Sequence, residues 1–297
     1  MNASRKEDEG DNLLAEAEKK VAARSGFFKS LMGLSSSNKE EAAEMFVKAA
    51  NCFKLAKAWT KAGTALERAA ETYADISEMQ YEAASKYSEA GKAYKNVDIK
   101  KATHAYENAV NLYSDAARFQ QCARLKKEVA EILESENQNA AALDAYNAAA
   151  DFYDMDDAKS NANSMRIKAA SLNALEGKFA ESADMFESIA QNALGSNMLK
   201  YGAREHLLKA GLCRLCISDV IGAQRAVESY DSMDPTFATS REGKLLQAVV
   251  KAVDEGDVDA FTNHVFEYDS LSKLDEWKTT ILLKIKNNIK ADEDDLT

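Results

Sequence analysis

The chain has 297 residues, 46% hydrophobic and 29% charged, and its 49 acidic residues outnumber its 38 basic ones, which gives a net charge of −11. This balance is typical of a globular protein and excludes an intrinsically disordered chain. With one proline, Pro235, and 12 glycines, an all-β fold rich in turns is disfavoured, and long helices joined by short turns are indicated. An acidic chain also lacks the basic surface that broad nucleic-acid binding requires, so no nucleic-acid partner is expected.

Neither a signal sequence nor a membrane span is indicated. The N-terminal region has no apolar core of the signal-peptide kind, and no apolar run approaches the roughly 18 residues needed to cross a bilayer. We therefore expect a cytosolic protein. In that compartment the four cysteines, Cys52, Cys122, Cys213 and Cys216, are expected to be thiols and not a secreted disulfide framework.

One residue pattern recurs at intervals of 40 residues. Its first copy is Ala62, Ala65, Leu66, Ala69 and Tyr73, its second is Ala102, Ala105, Tyr106, Ala109 and Tyr113, its third is Ala142, Ala145, Tyr146, Ala149 and Tyr153, and a fainter fourth is Ser182, Met185, Phe186 and Ile189. An alanine and an aromatic residue four positions later share one helix face, so each copy predicts a helix that packs through small and aromatic side chains. Weaker copies lie midway between these, which predicts one helix every 20 residues or so and an antiparallel pair every 40.

The pattern predicts an all-α fold, a right-handed α-solenoid of TPR-like antiparallel helix pairs with about 40 residues per pair, capped by a C-terminal helical bundle. The 34-residue spacing of the tetratricopeptide repeat itself is not kept. We expect residues 1–234 to form the solenoid and residues 235–297 the bundle, whose last helix is predicted over 274–289. Polar or glycine-containing turns are predicted at several places, among them Ser35 to Asn38 and Gly177.

Motifs for catalysis, metal binding or cofactor binding are not found. The chain has no G-x-x-x-x-G-K-[ST], G-x-G-x-x-G or H-E-x-x-H sequence, and His104, His206 and His264 lie in separate repeats without ligand spacing. Cys213-x-x-Cys216 lies in an apolar helical stretch without the second ligand pair of a zinc site or the βαβ context of a redox site, which favours buried structural thiols. We expect no metal, no cofactor and no enzymatic activity.

An apolar segment at residues 26–34 follows the first predicted helix. Phe27, Phe28, Leu31 and Met32 lie between glycines and a serine run, a composition that suits a loop. One interpretation is that these side chains fold back onto the first repeat, as most large apolar side chains do. The alternative is a loop that dips into a bilayer. Burial contributes about 1.5 to 3 kcal/mol per such side chain, so attachment by this loop alone would be weak and reversible.

Basic residues recur on the middle repeats. Arg118, Arg124, Lys168, Lys200 and Arg204 could form a groove for an elongated acidic partner, if one face of the solenoid presents them together. Solvation is the simpler interpretation, because charged residues belong on exposed helix faces in any case.

The C-terminus is an acidic run, Asp292, Glu293, Asp294 and Asp295, followed by Leu296 and Thr297. Such a run is commonly a disordered tail that aids solubility. The single leucine after four carboxylates favours instead an element that docks on a basic partner.

These residues resemble a known family, the soluble NSF attachment proteins, over essentially the whole chain. The resemblance is carried by Leu13-Leu14-Ala15-Glu16-Ala17-Glu18, Phe27-Phe28 with Leu31, Tyr268-Asp269-Ser270, Leu274-Asp275-x-Trp277 with Thr279-Thr280, and Asp294-Asp295-Leu296. Length and the acidic leucine terminus are similar to the α/β branch of the family and not to its γ branch.

The resemblance implies an adaptor. Several copies would coat the four-helix SNARE bundle of syntaxin, SNAP-25-like and VAMP-like helices and recruit the hexameric AAA ATPase NSF, which pulls the bundle apart after membrane fusion. It implies membrane contact by Phe27, Phe28, Leu31 and Met32. The SNARE-facing cations would be Arg118, Arg124, Lys168 and Arg204, with Lys200 nearby, and Asp292 to Leu296 would engage NSF. One lysine of the family's basic surface corresponds to Ser164 here, which puts that contact in doubt.

Two other classes of protein stay open on the residues alone. A solenoid can also be a scaffold or chaperone cofactor that binds extended peptides. An enzyme whose site carries no recognisable motif is the third class.

Overall fold

A computed structural model of the chain describes residues 2–22, 35–196 and 199–295, and in these ranges every regular element is helical. The α-helices are α1 (Asn2–Ala22), α2 (Ser35–Leu55), α3 (Trp59–Ala74), α4 (Gln80–Tyr94), α5 (Ile99–Asp115), α6 (Phe119–Ser135), α7 (Asn139–Met155), α8 (Lys159–Leu175), α9 (Phe179–Leu194), α10 (Ala203–Cys216), α11 (Val220–Met233), α12 (Arg241–Asp254), α13 (Val258–Leu271) and α14 (Glu276–Asp295). Short 3₁₀ turns, Ser77–Met79 and Lys200–Gly202, precede α4 and α10. The predicted all-α class is confirmed.

The chain divides into two compact units, Met1–Ala158 with α1 to α7 and Lys159–Thr297 with α8 to α14. Within each unit, consecutive helices pack against one another as antiparallel hairpins. In the second unit α10 also packs on α12 and α14, so the last helices close the stack. The predicted boundary after residue 234 rests on where the sequence repeat is lost, and it stays a prediction.

The 40-residue repeat forms the core, as predicted. Its alanines are fully buried in α3 and α5 and almost so in α7, and the tyrosines Tyr106 and Tyr146 at equivalent positions are buried beside them. Two glycines likewise leave room for aromatic rings of the neighbouring helix. A Cβ atom on Gly63 would lie 2.4 Å from the ring of Tyr94, and one on Gly91 would lie 2.7 Å from the ring of Tyr106. Small residues thus let neighbouring helices approach closely while rings fill the remaining space.

Several turns between helices share one backbone geometry. In the α5–α6 turn, Ala117 has a φ of 52°, its N–H donates to the carbonyl of Ser114 (2.9 Å), and the N–H of Arg118 donates to that of Tyr113 (2.8 Å). These two bonds define a Schellman motif, which ends a helix at a left-handed residue. Other turns repeat both bonds with a left-handed residue at the same place: Lys57, Asn137, Asp157 and Gly177. The motif therefore gives these particular turns the same length.

Helix ends differ from the predictions at two places. The predicted turn from Ser35 to Asn38 is wrong, because α2 begins at Ser35. Serine and asparagine favour the first residues of a helix as well as turns, so composition alone does not separate the two. The last helix was predicted to run from Leu274 to Ile289, whereas α14 begins at Glu276 and continues to Asp295. Residues 290–295 include no proline or glycine to end it.

Replacing Ala117 by glycine is expected to stabilise the protein. A left-handed conformation costs an ordinary residue roughly 1 to 2 kcal/mol, and the extra flexibility of glycine offsets part of that gain. The free energy of unfolding in urea should therefore rise by about 0.5 to 1 kcal/mol. Ala116→Gly is the matched control, because Ala116 is an equally exposed neighbour with a negative φ of −90°. The control should be destabilised, and equal effects of the two changes would contradict the argument.

Candidate functional site

The predicted site residues differ in how far the structure describes them. Phe27, Phe28, Leu31 and Met32 lie outside the described residues, and so does Leu296. The backbone of 292–295 forms the end of α14, with nothing described of those side chains. The membrane-loop prediction and the tail prediction therefore rest on sequence, whereas the predicted basic residues can be placed.

In the first unit, the two predicted cations lie on the N-terminal half of one helix. Arg118 immediately precedes α6 and Arg124 lies on its second turn, and both side chains are exposed. Among the described contacts neither guanidinium has a carboxylate partner. Their positive charge therefore faces solvent without local compensation, which is what a surface for an acidic partner needs.

In the second unit, the three predicted cations have different surroundings. Lys168 is exposed on α8, and Lys200 lies with its ammonium 5.4 Å from the ring centre of the exposed Tyr201. Arg204, on the first turn of α10, is held by the chain. Its Nε donates to Asp234 Oδ2 (3.1 Å), and its Nη2 donates to the hydroxyl of Thr236. Arg204 thus fastens the α11–α12 connection while 40% of its side chain stays exposed.

The contact with Arg204 affects the pKa of the Asp234 carboxyl group. Burial alone would raise the pKa of its carboxyl group, but hydrogen bonds from Thr236 and Arg204 together with the charge of Arg204 outweigh burial and lower that pKa. Ser164, which replaces a lysine of the resembled surface, donates its hydroxyl to the carbonyl of Ser160 (3.0 Å). Position 164 therefore adds no charge to α8.

In the second unit, contacts with α8, α9 and α10 hold the first turn of α14 in place. Trp277 donates from Nε1 to the carbonyl of Ser171 (3.1 Å), and its ring packs edge-on against Phe186 at 5.5 Å between centroids. The ammonium of Lys209 lies 4.9 Å from the ring centre of Trp277, a favourable cation–π distance. These contacts define the α14 anchor, together with the ion pair described next.

Lys278 completes the α14 anchor. Its side chain is 8% exposed, and its Nζ lies 2.8 Å from Glu205 Oε1. Burial alone would lower the pKa of Lys278, but the hydrogen bond and the charge of Glu205 outweigh burial and raise it. The pairing of Lys278 with Glu205 and the contact of Lys209 with Trp277 were not predicted from the sequence. The available signal was that Lys209 stands within an apolar helical stretch and that Lys278 follows a core tryptophan.

The last turns of α14 extend along the end of α10. Asn288 donates from Nδ2 to the carbonyl of Cys216, the last residue of α10, at 3.3 Å. Because Lys278 lies beside Glu205 at the start of α10, the two helices run in the same direction. The acidic residues 292–295 therefore lie beyond the C-terminal end of α10.

Other carboxylates occur at that same end of the second unit. Asp219 caps α11, accepting a bond from Gly222 N (2.8 Å). The start of α12 lies near that of α10, because Arg204 bonds Asp234, and Leu246 packs on Gly211. Helix α12 therefore also ends at this side, where Asp254, Glu255 and Asp257 are exposed. We call this set, with residues 292–295, the acidic end.

The cysteines are structural, as predicted. All four are free and buried. Burial raises the pKa of Cys213 to about 11 and that of Cys216 to about 12, so both are protonated at neutral pH and poor metal ligands. Among the described residues, no group of three or more His, Cys, Asp or Glu side chains is arranged to hold a metal ion. Within the same ranges, no helix is both long and apolar enough to span a bilayer.

The structure is that of a helical-repeat protein, with exposed cations on helices of each unit and exposed carboxylates at one end of the second unit. Residues 8–290 match the family model described as soluble NSF attachment protein, SNAP. The chain is 40% identical to the human alpha-soluble NSF attachment protein over 297 residues, all of both chains. It is 41% identical to that of Vitis vinifera (97% of this chain, 98% of the relative) and 40% identical to a probable vesicular-fusion protein sec17 homolog of Schizosaccharomyces pombe (97% and 98%).

The chain belongs to the soluble NSF attachment protein family. The family predicted from the sequence is therefore confirmed. Members of this family are adaptors and not enzymes, which agrees with the predicted lack of enzymatic activity.

Stability is expected to depend on pH through His206. Burial, and to a lesser degree the charge of Lys209, lowers the pKa of His206 to about 4, against 6.5 for an unperturbed histidine. The unfolded chain then binds a proton that the folded chain does not, so stability is lost as pH falls from 6.5 to 4. The full difference amounts to about 3 kcal/mol.

The measurement is urea unfolding from pH 7 to pH 4 for wild type and His206→Gln. The wild type should lose about 3 kcal/mol more than this variant over the range. His264→Gln serves as the control because His264 is partly exposed on α13, and its profile should follow that of the wild type. Parallel profiles for wild type and His206→Gln would contradict the assignment.

Proposed function

We propose that this protein is a cytoplasmic adaptor that binds assembled SNARE bundles and recruits and stimulates the ATPase NSF, which disassembles them after membrane fusion. One observation carries the proposal, the full-length match at 40% identity to the human alpha-soluble NSF attachment protein. The names of these relatives refer to NSF attachment and to vesicular fusion. The exposed cations and the acidic end supply opposite charges for contact with two different partners, which supports an adaptor role.

The exposed cations of each unit are proposed to contact the SNARE bundle, and together they are called the basic surface. Arg118 and Arg124 have exposed guanidinium groups without carboxylate partners among the described contacts, and Lys168 and Lys200 are also exposed. On a protein of net charge −11, exposed cations provide local positive charge that suits a partner with acidic helices. Arg204 can also contact the partner, because its side chain stays partly exposed while it bonds Asp234.

The acidic end is proposed to receive NSF. Residues 292–295 form the end of a helix whose first turn is fixed by the α14 anchor, and Asp219, Asp254, Glu255 and Asp257 lie at the same end of the unit. Carboxylates act mainly on the rate and orientation of encounter with a basic partner. Leu296, which follows residues 292–295 in the sequence, would supply an apolar side chain to be buried on that partner.

Residues 26–34 are proposed to attach the adaptor reversibly to the membrane that carries the SNARE proteins. Phe27, Phe28, Leu31 and Met32 provide the apolar side chains. Their weak affinity gains strength when the basic surface holds a membrane-anchored SNARE bundle at the same time, because the second contact is then intramolecular. Several copies on one bundle would strengthen attachment further by the same reasoning.

The proposal is tested by reconstituted disassembly. Purified protein, NSF and ATP are added to a preassembled four-helix SNARE complex, and release of the separated SNARE proteins is followed, with the protein omitted as control. Disassembly that depends on the added protein is expected. If the protein neither binds the SNARE complex in a pull-down nor promotes its disassembly, the proposed function is wrong.

Charge reversal of the basic surface should weaken SNARE binding. Arg118→Glu with Arg124→Glu removes two attractive contacts and adds repulsion, so the Kd for the SNARE complex should rise about tenfold at low salt and less at high salt. Lys92→Glu with Lys100→Glu makes the same charge change at exposed positions of the same unit and should have a smaller effect. Affinities are compared by titration at two salt concentrations. Equal losses in the two double variants would mean that net charge alone governs binding.

Replacing Phe27 and Phe28 by serine should lower binding to liposomes while thermal stability stays nearly unchanged. Disassembly of soluble SNARE complexes should be unaffected, and that of membrane-anchored complexes should become less efficient. The readouts are liposome flotation, melting temperature and the two disassembly rates. A large fall in melting temperature would show instead that the two rings belong to the core of the first repeat.

A further inference from the structure

Three aliphatic side chains are exposed at two turns of the second unit. Leu175 ends α8 and is 49% exposed, Ile217 follows α10 and is 42% exposed, and Ile221 lies on the first turn of α11 and is 64% exposed. We call them the aliphatic end patch. Helices α8, α9 and α10 are successive antiparallel neighbours, so the α8–α9 and α10–α11 turns lie at the same end of this unit.

Helix α14 passes both turns. The ammonium of its Lys284 lies 5.7 Å from the ring centre of Phe179, four residues after Leu175. Its Asn288 bonds the carbonyl of Cys216, the residue before Ile217. The acidic residues 292–295 follow Asn288 by one helical turn. The aliphatic end patch therefore lies directly beside the acidic end.

The charges around the patch indicate what can cover it. Asp219 stands between Ile217 and Ile221, and Lys284 on the other side lies against an aromatic ring. A single exposed aliphatic residue needs no explanation, but aliphatic residues beside Asp219, at the end of the unit where Asp254, Glu255 and Asp257 are exposed, have the composition of a protein interface. The same carboxylates would repel an anionic bilayer and a second copy of this acidic chain.

We propose that the aliphatic end patch is the apolar part of the surface on which the ATPase docks. This inference rests on the proposed function, and it adds to the acidic end a second kind of contact. The partner is then a surface with aliphatic or aromatic side chains inside a border of lysine and arginine. Carboxylates orient that surface on approach, and burial of Ile217 and Ile221 slows its dissociation.

The test uses the full-length double variant Ile217→Ser with Ile221→Ser. SNARE-stimulated ATP hydrolysis by NSF is measured against adaptor concentration, alongside a SNARE pull-down and a melting curve. The concentration for half-maximal stimulation should rise about tenfold, with SNARE binding and melting temperature nearly unchanged. Leu271→Ser is the matched control, because Leu271 is 73% exposed at the other end of the unit, where its carbonyl accepts from Arg241 beside the start of α12. This control should behave as wild type.

Each other outcome has a definite meaning. Unchanged half-maximal stimulation, or an equal rise with Leu271→Ser, overturns the proposal, and so does loss of SNARE binding or loss of liposome binding by a folded double variant. If the double variant melts early, the single variant Ile221→Glu replaces it, since that side chain is the most exposed of the three. Failure of the proposed function is recognised separately, because wild type itself would then not stimulate NSF.

Discussion

Close approach of helices through alanine and glycine is the constraint on which the rest of the structure depends. Each ring of the repeat occupies space that exists only because the facing helix carries a small residue, as Tyr94 does over Gly63 and Tyr106 over Gly91. Larger side chains at those positions would push neighbouring helices apart and leave the rings without full packing contacts. Since the constraint recurs every 40 residues, it fixes helix length, turn length and the faces left free for binding.

The helices and their buried faces were predicted well from the sequence, because both follow from one repeat of small and aromatic residues. Ala102 and Tyr106, identified only by their spacing, are fully buried. Most turn geometry could not be predicted in the same way. Gly177, Asn137 and Asp157 are residue types that favour the left-handed conformation, but Lys57 and Ala117 adopt it without such a signal. The backbone hydrogen bonds of the Schellman motif hold these two residues in place against their local preference.

Prediction of the site was more uneven, for a physical reason. Exposure of Arg124 and Lys168 follows from helix periodicity, and that of Arg118 from its place in a turn, and the structure agrees. The bonds of Arg204 to Asp234 and Thr236 join residues about 30 positions apart across a helix and a turn, a separation that no local pattern reveals. The same holds for Lys278 and Glu205, 73 positions apart. Buried polar contacts between distant helices are therefore the part of such a protein that needs a structure.

The α14 anchor has a mechanical consequence. Ser171, which receives the bond from Trp277, lies one turn after Lys168 on α8, and Glu205, which pairs with Lys278, is the neighbour of Arg204 on α10. A force applied to the C-terminal end of α14 would reach α8 and α10 through a buried ion pair, a hydrogen bond and a packed tryptophan, and not through a flexible linker. A torque on the C-terminal end of α14 would thus be transmitted almost fully to the helices that carry Lys168 and Arg204.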